Sequence, residues 1–282
     1  MSLKPFKSIA IGVAFSPNLK ANLCEAARLS LFFGSKLFLI HVGEASDDKI
    51  KSLKVFLNAF KKDNLDYEVV FKPGDPVNAI LSVSEEKNID LLILGAVQRE
   101  KFIKYYVGSI ARKITRKAKC SVLLLIKPAV ERVRCQHIVV NGLEDPKTEQ
   151  TIKSAFYVAN KLNAEKITIV EEIKHEEVAV HADDDKSLRR VNIMKERIRM
   201  REISRINEII EHIPEKYTQD ITVQSQPIFG KQGYSIGHYA EISRADLLVM
   251  NAPSKMTFWD RLFPHDIEHI LTELPTDVLI LQ

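Results

Sequence analysis

The stretch from Asp90 to Ile126 contains the pattern that decides the fold. It begins with the apolar run Asp90-Leu-Leu-Ile-Leu-Gly95 and ends with the apolar run Ser121-Val-Leu-Leu-Leu-Ile126, and a helical segment that opens at Gly108 lies between them. Two apolar runs of strand length on either side of a helix predict a parallel β-α-β unit. At both glycines the backbone can approach a ligand closely, and the free N–H groups of a helix N-terminus suit an anion.

The rest of the first half continues this alternation. Apolar runs of strand length alternate with amphipathic helical segments, so that four predicted helices separate five predicted strands. This order is typical of the α/β class and predicts a doubly wound parallel sheet with right-handed connections. The predicted strands cover positions 8–13, 36–42, 67–71, 90–95 and 121–126.

The second half of the chain repeats the first. Asp246-Leu-Leu-Val-Met-Asn251 mirrors Asp90-Leu-Leu-Ile-Leu-Gly95 at an offset of 156 (246 minus 90), and the same offset relates the two fifth strands. Self-similarity of this kind indicates a duplicated structural unit. We therefore predict two tandem copies of one five-stranded domain, over positions 1–128 and 129–282.

The second copy is longer than the first. Its first strand matches best when Ile138 is placed on Ile11, an offset of 127 (138 minus 11), so we expect a gain of about 29 (156 minus 127) in the second copy. We place most of this gain between positions 171 and 213, where an apolar stripe that includes Met194 predicts a helix from about 186 to 213, with Glu202 on its charged face. A helix of this length suits either packing on its own domain or docking of a partner.

Composition and charge exclude several classes of protein. The 282 residues suffice for two domains, and 45% hydrophobic with 28% charged residues is an ordinary globular composition. The formal net charge of +4 is too balanced to predict nucleic acid as a partner, and no apolar run approaches the roughly 18 residues of a membrane helix. Three cysteines without C-x-x-C spacing argue against a disulfide framework and for a reducing cytoplasm.

The spacing around Gly95 and Gly108 resembles a known nucleotide motif. Two residues separate Gly95 from Gln98, nine separate Gln98 from Gly108, and Ser109 follows directly. This pattern resembles the G-x2-G-x9-G-[S/T] motif of the universal stress protein family, with Gln98 in place of the second glycine. The alternative is a β-α loop that needs glycine only for its turn and cap. The two halves together resemble a tandem universal stress protein of the adenine-nucleotide α-hydrolase-like fold.

The resemblance implies a nucleotide site in the first domain, at the carboxyl ends of its first and fourth strands. Family members commonly carry an aspartate after the first strand, where Ala14 stands in the first half and Asn141 in the second. The implied ligand is ATP or AMP, accompanied by Mg²⁺ if it is ATP. The residues implied to line the site are Ala14, Val42, Gly95, Gln98, Gly108, Ser109 and Ile110.

The second copy has lost the motif. Asn251, Ser254, Pro264 and His265 stand at its four positions, and proline has no N–H group to offer a phosphate. We therefore expect no second nucleotide site. The run from His265 to His269 matches the H-x-x-E-H zinc-protease pattern, but a catalytic zinc needs a third protein ligand, so the two histidines are only weak candidates for a metal.

The resemblance also implies a pairing of the two copies. Members of the family dimerise through the fifth strand, and Val122–Ile126 and Val278–Leu281 are apolar edge strands that need covering. The short linker Lys127–Gln136 permits the two domains to pack as an intramolecular pseudo-dimer. A further homodimer is compatible with the sequence.

Three functions of different classes remain open. The first is a cytoplasmic stress-response regulator or sensor that binds an adenine nucleotide in its first domain and couples the ligand to an unidentified protein partner. The second is a ligand-free scaffold of the same fold. The third is a slow ATPase, although no Ser-His-Asp, Cys-His or paired-carboxylate arrangement predicts catalysis. We expect the chain not to be an enzyme.

Overall fold

The computed structural model describes positions 6–98, 105–173, 184–231, 234–252 and 270–282 of the chain. These positions divide between two units. Unit 1 is drawn from Met1–Arg134 and Leu271–Gln282, and unit 2 from Cys135–Ile270. The predicted domains 1–128 and 129–282 follow the sequence repeat, and they therefore assign the last strand of the chain to the second domain. That division stays a prediction.

Unit 1 is a mostly parallel sheet with helices between its strands. Its elements are β1 (Ser8–Val13), α1 (Leu19–Phe33), β2 (Lys36–Val42), α2 (Asp47–Leu57), a 3-10 helix (Asn58–Asp63), β3 (Tyr67–Lys72), α3 (Pro76–Glu86), β4 (Leu91–Gly95), the short β5 (Val97–Gln98) and β6 (Tyr105–Tyr106), α4 (Ser109–Lys117) and β7 (Ser121–Leu125). The five long strands lie in the order β3-β2-β1-β4-β7, and they are parallel to one another. The predicted α/β fold is confirmed.

Local sequence explains where the helices of unit 1 begin and end. α3 follows Asp75, whose carboxylate accepts a hydrogen bond from the Asn78 N–H at 3.0 Å. Pro76 occupies the first helical position, where its missing N–H costs nothing. α1 ends at Gly34, whose φ of 67° lies in the left-handed region that glycine adopts without strain. These signals place the helix ends at the two edges of the sheet.

Unit 2 repeats this plan, with four parallel strands among its described residues. Its elements are β8 (His137–Asn141), α5 (Thr148–Leu162), β9 (Lys166–Ile173), α6 (Asp185–Glu211), a 3-10 helix (Glu215–Tyr217), β10 (Thr222–Phe229), α7 (Tyr234–Ile242) and β11 (Leu247–Asn251). The strand order is β10-β9-β8-β11, which corresponds to β3-β2-β1-β4 of unit 1. The predicted repeat is therefore present in the sheet topology.

Equivalent aspartates fix the amino ends of the two first strands. The Asp90 carboxylate accepts hydrogen bonds from the backbone N–H groups of Lys7 and Ser8 at 2.9 and 3.0 Å. Asp246 accepts two from the backbone at the start of β8, at 2.7 and 2.9 Å. The two aspartates lead the matching sequences from which the repeat is predicted, so the repeat extends to side-chain contacts.

Strand pairing corrects the alignment of the first strands. Ile9 pairs with Leu91 in unit 1, and Ile138 pairs with Leu247 in unit 2. The two partners on the fourth strands are offset by 156 (247 minus 91), as predicted. The first strands are therefore offset by 129 (138 minus 9), and the predicted offset of 127 is wrong.

The corrected alignment changes one predicted match. An offset of 129 places Leu143, and not Asn141, at the position of Ala14 (14 plus 129). Neither Ala14 nor Leu143 is acidic. The absence of the aspartate from both copies, which the sequence predicts, does not depend on the corrected match.

The extra length of the second copy lies between its second and third strands. Leu37 pairs with Tyr67 and Ile167 pairs with Val223, so the offset rises from 130 (167 minus 37) to 156 (223 minus 67). The gain in this segment is 26 (156 minus 130), which is nearly all of the total gain of 27 (156 minus 129), and the predicted total of about 29 is slightly too high. Helix α6 lies here and has 27 residues, against 11 in its counterpart α2, so the predicted long helix is confirmed.

Helix α6 packs on unit 2 through only part of the predicted apolar stripe. Val191 and Ile206 are buried in the helix and Ile213 is buried just after its end, whereas Met194 is 42% exposed, contrary to the prediction. Glu202, which the sequence places on the charged face, is only 5% exposed.

No helix among the described residues combines the length and the apolar character that a membrane crossing requires.

The last strand of the chain, β12 (Asp277–Leu281), belongs to unit 1 and pairs antiparallel with β7. Leu279 lies opposite Leu123, and both side chains are buried. The Asp277 carboxylate accepts a hydrogen bond from the Ile126 N–H at 2.8 Å. The predicted pairing of the two fifth strands is confirmed, and it covers the apolar edge that β7 would otherwise expose.

Candidate functional site

The carboxyl ends of β1 and β4 meet where the strand order of unit 1 reverses direction. β2, which follows β1 in the chain, lies on one side of β1, and β4 lies on its other side, with Ile11 paired to Ile93. Open α/β sheets bind ligands at such a switch point. Ala14 follows β1, Gly95 ends β4, and both are exposed. Two of the predicted site residues therefore flank the same crevice.

Asn22 of α1 lies against Gly95 in this crevice. A methyl group at Gly95 would come within 3.5 Å of both polar atoms of the Asn22 amide. The Oδ1 atom of Asn22 is buried, and it accepts no hydrogen bond from the residues that the structure describes. Buried polar atoms are nearly always paired in proteins, so this oxygen suits a donor on a ligand. No sequence motif marks Asn22, which is a polar residue between the buried Leu19 and Leu23.

Aromatic rings line the carboxyl end of β2 in unit 1. The His41 ring is nearly perpendicular to Phe15 and Phe71, with centroid distances of 5.0 and 5.7 Å, and its Nδ1 lies 3.0 Å from the Val13 carbonyl oxygen. The Phe15 side chain is 43% exposed, and Val42, which ends β2, is half-buried. An exposed aromatic ring beside a strand end suits the flat apolar face of a base.

The N-terminus of α4 follows the same fourth strand. Gly108 is its N-cap, with φ −59° and ψ 159°, and the Gly108 carbonyl accepts a hydrogen bond from the Arg112 N–H at 2.9 Å. The first N–H groups of a helix have no partner within the helix, and its dipole attracts anions. Ser109 and Ile110 are exposed, so the N-terminus can present their amides and the serine hydroxyl to a phosphate.

The start of α4 is held by the C-terminal segment of unit 1. The Val107 N–H donates to the Leu271 carbonyl at 3.1 Å, and the Leu274 N–H donates to the Tyr105 carbonyl at 3.0 Å. The Arg112 guanidinium donates to the same Leu271 carbonyl at 3.1 Å. The predicted phosphate loop is thus fixed on both sides of Gly108.

A short hairpin connects β4 with α4. Val97 pairs with Tyr106 and Gln98 with Tyr105, both antiparallel. The pairing places the backbone of Gln98, three residues after Gly95, opposite Tyr105, which lies three residues before Gly108. Positions 99–104 lie outside the described residues.

In unit 2 the corresponding edge is filled by the chain itself. Arg205 of α6 donates a hydrogen bond to the Gly142 carbonyl, directly after β8, and a second one to the Glu202 carboxylate at 2.9 Å. Arg201 donates to the same carboxylate at 2.9 Å. A Cβ on Gly142 would come within 2.7 Å of Ile169, so the backbone packs directly on β9. Arg205 and the close contact between Gly142 and Ile169 therefore occupy this strand end.

A buried carboxyl accompanies Arg205 in unit 2. Glu171 of β9 is 2% exposed and accepts a hydrogen bond from the Ser225 hydroxyl at 2.9 Å, while its Oε2 has no partner among the described residues. Burial raises the pKa of Glu171 from 4.5 to about 7, although the Ser225 hydrogen bond and the charge of Arg205 oppose the rise. The cluster is therefore a buried network of polar side chains that contains a titratable group near neutral pH.

The degenerate motif of the second copy is described only at its first position. Asn251 replaces the glycine that ends β4 in unit 1, and its amide nitrogen donates to the Asp145 carboxylate at 3.3 Å. Ser254, Pro264, His265 and His269 lie outside the described residues, so the metal candidates stay predictions. The described part of the chain holds no group of three or more His, Cys, Asp or Glu side chains arranged for a metal.

Comparison with known proteins relates the chain to one family. A model of the universal stress protein family matches residues 44–125. A universal stress protein from Helicobacter pylori is 30% identical over 109 residues, which cover 36% of this chain and 78% of that protein. One from Methanothermobacter thermautotrophicus is 23% identical over 82 residues, or 29% of this chain, and the chain spans only 56% of that protein.

A solved structure extends the similarity to both units. The crystal structure of a universal stress protein from Archaeoglobus fulgidus has a TM-score of 0.63 at 16% identity, and the match covers 98% of this chain and 97% of that one. Similarity at this identity shows the fold, here in its tandem form.

Proposed function

Because the chain belongs to the universal stress protein family, we propose that it is a stress-response regulator or sensor whose unit 1 binds an adenine nucleotide at the carboxyl ends of β1 and β4. The observation that carries the proposal is the difference between two equivalent strand ends. In unit 1 the edge exposes Ala14 and Gly95 and leaves Asn22 Oδ1 without a described donor, whereas in unit 2 Arg205 fills it.

The parts of the edge suit the parts of a nucleotide. The N-terminus of α4, with the amides of Gly108, Ser109 and Ile110, suits a phosphate. The ring of Phe15 and the end of β2 at Val42 suit a base. Gly95 lies at the end of β4, where the backbone can approach a sugar closely. ATP or AMP is the proposed ligand, with Mg²⁺ accompanying ATP.

We propose binding rather than turnover as the role of this site. No residue that lines the described part of the crevice pairs a nucleophile with a base, so these residues offer no group to activate a water molecule. The alternative of a slow ATPase has a direct test: phosphate release from ATP and Mg²⁺ at a rate that Gly108→Val abolishes would establish it.

We propose that helix α6 docks the protein partner. Its charged surface carries four large apolar side chains that are 42–54% exposed, in a protein that we propose to be cytoplasmic and to act through other proteins. These exposed apolar side chains support a role of α6 in docking a partner. A ligand-free scaffold protein of the same fold would use the same surface. The four side chains are Leu188, Ile193, Met194 and Met200.

Calorimetric titration with ATP and with AMP tests nucleotide binding. We expect saturable binding to the wild type and a loss of at least about tenfold in Gly108→Val, because the added side chain crowds the phosphate at the α4 N-terminus. Lys147→Val is a matched control, since Lys147 is the N-cap of α5 in unit 2 and likewise makes no side-chain cap hydrogen bond. Equal binding to all three proteins would contradict the proposed site.

A further inference from the structure

We propose that Asn22 selects the sugar of the bound nucleotide, with its Oδ1 accepting a hydrogen bond from a ribose hydroxyl. The site would then prefer ribonucleotides to deoxyribonucleotides. This inference rests on the proposed function and assigns a specificity-determining residue to the same site.

The Asn22 amide lies at the end of β4 with its oxygen unsatisfied by the described residues. Oδ1 is buried against Gly95 and has no donor among the described residues. A buried acceptor that gives up water without gaining a partner destabilises the folded protein. The free protein therefore carries an unmade hydrogen bond at the crevice, which a ligand with a correctly placed donor completes.

A sugar hydroxyl is the donor of a nucleotide that suits the Asn22 oxygen. Phosphate oxygens are acceptors and carry negative charge, so they do not suit a carbonyl-type oxygen. The phosphate has a better place at the N-terminus of α4, and the base has one beside Phe15. The sugar connects the two and reaches the end of β4 at Gly95, where the Asn22 amide lies. Its hydroxyl groups are the donors that a nucleotide offers there.

Unit 2 carries a different residue at the position of Asn22. The offset of 129 places Thr151 at the position of Asn22 (22 plus 129), and Asn251 stands at the position of Gly95. Thr151 is 2% exposed and carries no amide, and the Asn251 amide is engaged with Asp145. Among the described residues, therefore, unit 1 has an unpaired amide oxygen next to the end of its fourth strand, and unit 2 has none at the equivalent position.

Titration with ATP, 2′-deoxy-ATP and 3′-deoxy-ATP tests the inference. We expect at least one deoxynucleotide to bind the wild type about five- to tenfold more weakly than ATP, the effect of one lost hydrogen bond. Asn22→Ala should weaken ATP binding by the same factor and remove the preference for ATP over the deoxynucleotide. Asn22→Asp, which keeps an acceptor, should retain the preference for the ribonucleotide. Asn58→Ala, an exposed substitution at the end of α2, should bind all three ligands as the wild type does.

Thermal unfolding without ligand separates this role from a structural one. Asn22→Ala removes the unpaired oxygen, so its melting temperature should equal or exceed that of the wild type. A lower melting temperature, equal affinities of the wild type for all three nucleotides, or a uniform weakening by Asn22→Ala would each overturn the role of Asn22 and leave nucleotide binding intact. Failure of the wild type to bind ATP at all would overturn the proposed function and this inference together.

Discussion

The two units build the same strand edge and complete it differently. In unit 1 Ala14, which follows β1, and Gly95, which ends β4, are exposed, and the buried Oδ1 of Asn22 beside Gly95 has no hydrogen-bond donor among the described residues. In unit 2 the end of β8 is capped by Arg205, whose guanidinium also neutralises the buried Glu202. We propose that this difference decides which unit binds a ligand, because Arg205 already supplies a hydrogen bond to the strand end of unit 2.

The difference originates in the insertion between the second and third strands. The short α2 of unit 1 contributes Leu53 and Leu57 to the core. The longer α6 brings Glu202 and Arg205 to the strand end of unit 2. We propose that the lengthened helix, together with the changed motif, prevents nucleotide binding in unit 2.

The largest expected effect comes from removing the cap of unit 2. Arg205→Ala leaves Glu202 buried beside Arg201 alone and removes the donor to the Gly142 carbonyl. We expect a loss of about 3–5 kcal/mol in the free energy of unfolding, measured with urea. Arg199→Ala is the control, because Arg199 and Glu196 form an exposed pair at 3.7 Å that is worth at most about 1 kcal/mol. Equal losses would show that Arg205 does not hold the edge together.

The next effect concerns the titration of Glu171. The raised pKa means that the folded protein binds this proton more tightly than the unfolded chain, so the free energy of unfolding falls as the pH rises from 4.5 to about 7. Glu171→Gln removes that dependence. At pH 8 the variant should be more stable than the wild type by about 3 kcal/mol, and the difference should shrink toward zero at pH values below the unfolded pKa. A difference that is the same at both ends of this range would contradict the buried, titrating carboxyl.

A smaller effect distinguishes two glycines at equivalent edges. Gly142→Ala brings a methyl group within 2.7 Å of Ile169, whereas Gly95→Ala meets the Asn22 amide at an ordinary 3.5 Å. We expect Gly142→Ala to cost about 1–2 kcal/mol in urea unfolding and Gly95→Ala to cost less than about 0.5 kcal/mol. The reverse order would mean that unit 1, and not unit 2, has the packed edge.

The smallest effect tests the residue that replaces glycine in the second motif. Asn251→Ala removes the hydrogen bond to Asp145 and should destabilise the protein by about 0.5–1 kcal/mol. Nucleotide titration of the same variant should match the wild type, because we expect unit 2 to contribute no site. Altered binding in Asn251→Ala would assign the ligand to unit 2.

Most of the fold could be predicted from the sequence because it depends on periodic apolar runs. Asp90 and Asp246 lead two matching strands, and the structure gives both aspartates the same role at the sheet edge. The predicted offset of the first strands is wrong because Ile11 and Ile138 match as well by type as Ile9 and Ile138 do. Register depends on pairing with β4 and β11, which a single sequence does not contain.

Only those parts of the candidate site that need a glycine backbone could be predicted from the sequence. Glycines mark the end of β4 and the start of α4, so Gly95 and Gly108 stand out by spacing. Asn22 and Arg205 do not, because each acts on a strand end far away in sequence. Among the many basic residues of α6, the rotation of the helix against α5 and β10 decides that Arg205 points inward. Side-chain contacts of this kind require the tertiary structure.

The number of nucleotides bound per chain tests the central claim most directly. Native mass spectrometry with increasing ATP should show one ATP on the wild type and none on Gly108→Val at the same concentration, because unit 1 alone presents an open edge among the described residues. Lys147→Val should retain one ATP. Two ATP molecules per wild-type chain, or one that persists in Gly108→Val, would contradict the assignment of an open site to unit 1 and a filled one to unit 2.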